Sequence, residues 1–243
     1  MELKGRTALV TGAGVRVGRA IAIALAGEGM RVAVHYAHSA DGAHETVGEI
    51  KRNGGEAAVH QADLTDGEAA SSLVADVVRR FAALDVLVNS AAVMLRTPVG
   101  EVTLDAWDHM FALNLRAPFF LSQAAATVLG ERNGAIVNIA DLAAFETWPG
   151  YIPHSVSKAG IVHMTRGLAH ALAPKVRVNA VAPGTVLLPE DWAPEAGERL
   201  AATTPLGRAG SPADVTDAVL YLLRADYVTG ETIIVDGGRH VRH

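Results

Sequence analysis

Residues Asn138–Gly160 read NIADLAAFETWPGYIPHSVSKAG. The apolar residues Ala135, Ile136, Val137 and Ile139 run into a loop holding Pro and Gly, and a helical pattern follows, so the stretch reads as strand end, loop and helix start. Asp141 stands at the strand end. His154 and Lys158, four residues apart, share one helix face. In an open α/β sheet the carboxyl ends of the strands are where ligands bind, so these three proton-active groups should border one cleft.

The same alternation extends along the chain. Thr7–Val10 is a short apolar strand, Val17–Ala26 is helical, and TGAGVRVG (residues 11–18) turns between them. Gly12, Gly14 and Gly18 allow close backbone approach, and the helix N-terminus behind them offers partial positive charge to a pyrophosphate. Further strands are expected at Arg31–Tyr36, Ala57–His60, Leu84–Val88, Arg177–Val181 and Thr232–Val235, with helices over residues 41–53, 104–129, 156–172 and 212–223. Asp63 or Thr65 can cap the helix that follows them. Strands alternating with helices predict an α/β fold, a doubly wound parallel sheet of about seven strands with helices on both faces. One domain spanning residues 1–243 is expected. Residues 186–206 have no lasting periodicity and read as a substrate lid in which Leu188 and Trp192 meet substrate.

Composition narrows the functional classes. The 243 residues are 50% hydrophobic and 19% charged, enough for a large core. A net charge of −5, without basic stripes, argues against nucleic acid as a partner. No cysteine is present, so disulfides and thiolate metal sites are excluded, and the ten histidines show no metal-ligand spacing; no metal is expected. Apolar runs fall short of the ~20 residues of a membrane span. The opening residues enter a strand almost at once, which predicts a cytoplasmic protein.

Asp141, His154 and Lys158 lie at the spacing of the Ser, Tyr and Lys of the short-chain dehydrogenase/reductase family, which the chain resembles from residue 5 to residue 238. Ser157-Lys158-Ala159-Gly160 and Asp236-Gly237-Gly238 match the family as they stand. Asn89-Ser90-Ala91-Ala92 stands where the family has NNAG, and the glycine turn is similar to TGxxxGxG with Arg16 in place of the middle Gly. Arg16 and Asp141 both resemble the pteridine reductase branch. His154 departs from the family's tyrosine.

The resemblance implies a Rossmann-type dinucleotide site. Gly12, Gly14, Arg16, Val17 and Gly18 would meet the phosphates; Tyr36 would border the cofactor at the end of the second strand, with His38 and Ser39 just beyond it. Asp63 and Leu64 would border the adenine; Asn89, Ala91 and Lys158 the ribose; Pro183, Gly184 and Thr185 the nicotinamide. Asn114 would hold a water that extends a proton relay, or else satisfy backbone groups. Where an NAD enzyme usually carries Asp or Glu after its second strand, this chain has none, so NADP(H) is expected over NAD(H). Family members usually pair through two long helices, which implies a homodimer or homotetramer.

In the family a tyrosine donates the proton that accompanies hydride transfer. Here His154 is the candidate donor, because an imidazole, with a reference pKa of about 6.5, is a usable acid and base near neutrality. Asp141 would orient substrate and Lys158 would anchor the cofactor. Tyr151 is a further candidate acid; Pro153 favours a first helical turn, which places Tyr151 before the helix. The expected activity is NADPH-dependent reduction of a C=O or C=N group, with pterins as one substrate class. The alternative is an NADP(H)-bound scaffold or sensor that has lost its catalytic tyrosine.

Overall fold

Seven apolar runs, most of them closed by Gly, Asp or Asn, become strands: β1 (Thr7–Val10), β2 (Arg31–Tyr36), β3 (Glu56–Gln61), β4 (Val86–Asn89), β5 (Ala135–Ile139), β6 (Arg177–Pro183) and β7 (Thr232–Val235). The helices are α1 (Arg16–Gly27), α2 (Ala40–Arg52), α3 (Ala69–Phe81), α4 (Leu104–Phe111), α5 (Ala117–Glu131), α6 (Ile152–Leu172), α7 (Pro194–Ala201) and α8 (Pro212–Arg224). The computed structural model describes residues 1–187 and 194–241, without the side chains of 194–196 and 200.

All pairings are parallel and the strand order is β3-β2-β1-β4-β5-β6-β7. The order reverses between β1 and β4, which opens a crevice beyond their carboxyl ends. Side chains alternate across the pleat and so build two cores. Ala8, Val10, Val32 and Val34 pack with α1, α2 and α8, whereas Leu9, Ala33, Leu87 and Ile136 pack with α3, α5 and α6.

The amino ends of the strands are tied by one buried carboxylate. Asp85, just before β4, accepts from the Thr7 amide at 2.9 Å through Oδ2. Its Oδ1 accepts from Arg6 at 2.9 Å and from Arg132 at 2.7 Å. Three donors from two segments, Arg6 with Thr7 and Arg132, thus converge on a side chain with no exposed surface.

Several expectations need correction. The helix expected over residues 104–129 is unbroken along the chain, but residues Ala112–Arg116 form a π-helical stretch between α4 and α5, which periodicity does not reveal. Residues 186–206, whose sequence shows no lasting periodicity, include the short helix α7. Neither Asp63 nor Thr65 caps α3, which starts at Ala69; instead Asp63 Oδ1 accepts from the amide and hydroxyl of Thr65, closing a local turn. No helix among the described residues is long and apolar enough to cross a membrane.

Candidate active site

The turn after β1 is held from two sides. Thr11 Oγ1 accepts from the amides of Ser90 at 2.9 Å and Ala91 at 3.0 Å, joining the exits of β1 and β4. Gly12 has φ +64°, and a Cβ there would lie 2.9 Å from the Ala91 backbone. A Cβ on Gly14 would meet Ser39 Oγ at 2.8 Å, and one on Gly18 would collide with the Gly12 carbonyl. These are close approaches that only glycine permits. Arg16 occupies the left-handed region at φ +52°, a conformation uncommon for a side-chain-bearing residue. Its guanidinium donates to the Leu187 carbonyl at 3.0 Å, spanning from the turn to the start of the segment read as a lid.

His35, near the end of β2, was missed by the sequence reading. It is 2% exposed. Its Nδ1 faces the Gly12 amide at 3.2 Å and its Nε2 the Ala62 carbonyl at 3.0 Å. Burial lowers its pKa from 6.5 to about 4, with His60 lowering it further and the Ala62 bond and Asp63 opposing. The unfolded chain therefore binds more protons between these values, so this group's stabilising contribution is present above pH 6.5 and is lost as pH falls towards 4. Between pH 7 and pH 5 the loss should be about 2 kcal/mol. Urea unfolding at the two pH values should show wild type losing that much more than His35→Asn, and equal losses would refute the assignment.

The other expected cofactor residues divide by where their side chains go. Asp63, His38 and Ser39 lie at the carboxyl ends of β2 and β3, with His38 and Asp63 exposed. The Thr65 bonds hold the Asp63 carboxyl below its usual range. Leu64 is 3% exposed and packs with Ala70 and Leu73. An apolar side chain under α3 gains from the core, which leaves the Leu64 backbone as the part that could border an adenine. The Tyr36 ring is likewise buried, tilted against His44, and Val17 packs against the core next to α1. Asn89 Nδ2 donates to Asn138 Oδ1 at 2.8 Å, a cross-strand bond that ties β4 to β5. Pro183 ends β6. The Gly184 amide donates to Val235 at 2.9 Å, and a Cβ on Gly184 would strike Asp236. Thr185 accepts through its carbonyl from Gly210.

The proton-active residues do come together. Asp141 ends the run after β5 and caps a short 3₁₀ turn, its Oδ1 accepting from the Ala143 amide at 2.8 Å. Oδ2 remains and lies 3.6 Å from His154 Nε2. His154, 2% exposed on the first turn of α6, has Nδ1 3.3 Å from the Val93 carbonyl. A carbonyl only accepts, so Nδ1 carries the proton in that bond and Nε2 is the nitrogen left for chemistry. That Nε2 is buried and makes no hydrogen bond. One turn on, Lys158 Nζ donates to Ile139 at 2.8 Å. Burial pushes its ammonium down to about 8, partly opposed by Asp141.

Asn114 lies in the π-helical stretch. It accepts from the Val93 amide at 2.8 Å, donates to the Val93 carbonyl at 2.9 Å and donates to Ser157 Oγ at 3.2 Å. Its side chain thus pins the segment that His154 also contacts. Tyr151 precedes α6, as Pro153 predicts, and its ring meets Trp148 edge-on at 6.3 Å. Leu188 and Trp192 lie outside the described residues. No cluster of three or more metal-ligating residues occurs among the described residues.

Comparison with known proteins agrees with this architecture. The family model described as enoyl-(acyl carrier protein) reductase matches residues 12–240. The 3-oxoacyl-[acyl-carrier-protein] reductase FabG of Staphylococcus aureus is 35% identical over 242 residues, covering 97% of this chain and 98% of its own. A dehydrogenase/reductase from Sinorhizobium meliloti superposes with a TM-score of 0.92 at 36% identity, covering 98% of this chain and 97% of its own. The angucycline C-6 ketoreductase LanV, solved with bound NADP, superposes with a TM-score of 0.92 at 34% identity, covering 99% and 98%. Matched along nearly its whole length, the chain belongs to the short-chain dehydrogenase/reductase family and is an oxidoreductase.

Proposed function

We propose that the protein is an NADPH-dependent reductase of a C=O or C=N group in a small molecule, with His154 as proton donor. The observation that carries this reading is the buried His154 Nε2, without a hydrogen-bond partner and 3.6 Å from Asp141 Oδ2. The glycine cradle suits the dinucleotide, because its close contacts leave backbone and no side chain at the crevice. Held by this cradle and Lys158, a dihydronicotinamide cofactor would supply hydride chemistry to an electrophilic carbon. As the imidazolium, with the Nδ1 hydrogen kept on the Val93 carbonyl, His154 gives its Nε2 proton to the heteroatom, so that carbon and heteroatom each gain one hydrogen and a neutral imidazole remains. Asp141, whose side chain is about a quarter exposed, links the imidazole to solvent for reprotonation. Lys158 holds the ribose in this reading, and Asn114 keeps Val93 in place to fix the imidazole.

The Asp–His pair also bears on the substrate. A proton donor and a carboxylate acceptor 3.6 Å apart suit a molecule that offers an acceptor next to an N–H or O–H donor, whereas a plain ketone would face the carboxylate with its own lone pairs. Dihydropterin rings carry such paired edges, so a pterin is the favoured class, in line with Arg16 and Asp141. We propose residues 1–243 as one catalytic domain with a lid at 186–206. We also propose a homodimer or homotetramer, supported by exposed Leu104, Trp107, Phe119, Phe120, Ile152 and Val156 on α4–α6. Sedimentation at 25.4 kDa, the monomer mass, would refute the assembly.

Cofactor choice tests the reading directly. NADPH should bind more tightly than NADH, because residues 37–39 after β2 include no acidic side chain and Arg16, His38 and Ser39 are the groups assigned to a 2′-phosphate. LanV's bound NADP supports the same choice. Fluorescence titration of both forms should show the gap, and Arg16→Ala should narrow it. Equal affinity, or tighter NADH, would overturn the assignment. A wild type that binds NADPH but reduces no ketone, imine or pterin, while His154→Tyr does, would favour the scaffold reading.

A further inference from the structure

We propose that His35 is a positioning residue for the dinucleotide turn, its Nδ1 lone pair holding the Gly12 amide so that the amides after it face a pyrophosphate. This rests on the reading of that turn as an NADP(H) site. The partners dictate the tautomer. The Ala62 carbonyl, 3.0 Å from Nε2, can only accept, so Nε2 carries the hydrogen; Nδ1 is then bare and takes the Gly12 N–H at 3.2 Å. The His35 carbonyl accepts from the next amide, Ala13, at 2.9 Å. One residue therefore holds two consecutive amides of the turn, at a glycine whose positive φ leaves its peptide planes with little intrinsic preference.

The same imidazole reaches the other end of the candidate site, since Ala62 immediately precedes Asp63. It thus sets the pyrophosphate turn and the segment assigned to adenine at a fixed separation. The first backbone bond of α1 runs from Arg19 to Val15 at 3.1 Å, so the amides just before Arg19 have no intrahelical acceptor, and their direction is inherited from the turn. Burial, which keeps the imidazole neutral near pH 7, preserves the arrangement.

Two variants separate the two bonds. His35→Asn puts an amide oxygen near the place of Nδ1 and keeps the Gly12 bond, whereas His35→Gln carries its amide nitrogen out to the place of Nε2 and keeps the Ala62 bond. Both lose one hydrogen bond, so a merely structural role would affect them alike. Titrated with NADPH at pH 7, His35→Gln should bind about tenfold more weakly than wild type and His35→Asn within about threefold. Equal affinities in the two variants would overturn the positioning role. A wild type that binds no NADPH would overturn the dinucleotide reading and this inference with it. In case a variant does not fold, nitrogen NMR of wild type gives an independent result: a protonated Nε2 with a bare Nδ1 is expected, and the opposite tautomer would overturn the inference.

Discussion

His154→Phe should lower turnover of a reducible substrate by about 10²–10⁴-fold, the usual contribution of a positioned general acid, while leaving NADPH affinity near that of wild type. Phenylalanine fills the buried site but offers no proton at the place of Nε2 and none to Val93. His154→Tyr should retain or raise activity, because a phenol restores a donor beside Asp141. Steady-state rates with ketone, imine and pterin substrates measure both variants. Unchanged turnover in His154→Phe would end this mechanism and direct attention to Asp141, Tyr151 or water. The paired result matters because loss in Phe together with recovery in Tyr cannot come from packing alone.

The second large effect concerns stability and lies at the opposite end of the sheet. Asp85→Ala should destabilise the protein by about 2–3 kcal/mol, the cost of leaving a buried amide without its charged acceptor, since both arginines are partly exposed and can turn to water. The Thr7 amide would lose its acceptor, and Arg6 and Arg132 their shared carboxylate. At about 2–4 °C per kcal/mol for a chain of this size, Tm should fall by roughly 5–10 °C. Because Asp85 precedes β4, whereas the candidate site follows it, the folded variant should bind NADPH as wild type does. A loss below about 1 kcal/mol by denaturant unfolding would show that the Thr7 amide finds an equivalent partner or water.

Much of the architecture was legible because it rests on local periodicity. An apolar run, a glycine turn and a helical pattern at the start identify β1 and α1, and the run into Asp141 identifies β5. The meeting of His154 with Lys158 needed only the helix repeat. Their meeting with Asp141 needed the further rule that ligands gather at the carboxyl ends of parallel strands. Boundaries moved by a few residues, as for β6, which runs on to Pro183, and α6, which starts at Ile152.

Other features depend on partners far away in sequence. The π-helical stretch around Asn114 differs from an α-helix by one hydrogen-bond register, and its apolar pattern is that of the neighbouring turns. Leu64 and Tyr36 are next to cofactor motifs in sequence, yet α3 and the packing around His44 draw their side chains into the core. Thr11 only opens the glycine motif, and His35 belongs to no motif. They matter because β4 and β3 bring Ser90, Ala91 and Ala62 within hydrogen-bond reach.

By itself, the sequence determined the alternation of strands and helices, the glycine turn and the residue types able to move a proton, all of which follow from near-neighbour spacing and side-chain chemistry. Only the tertiary structure decided which nitrogen of His154 is left for chemistry, which oxygen of Asp141 faces it, and that His35 holds Gly12. Those outcomes depend on the Val93, Ala143 and Ala62 backbone groups, whose positions are set by packing between strands and helices and are encoded in no local stretch of the chain.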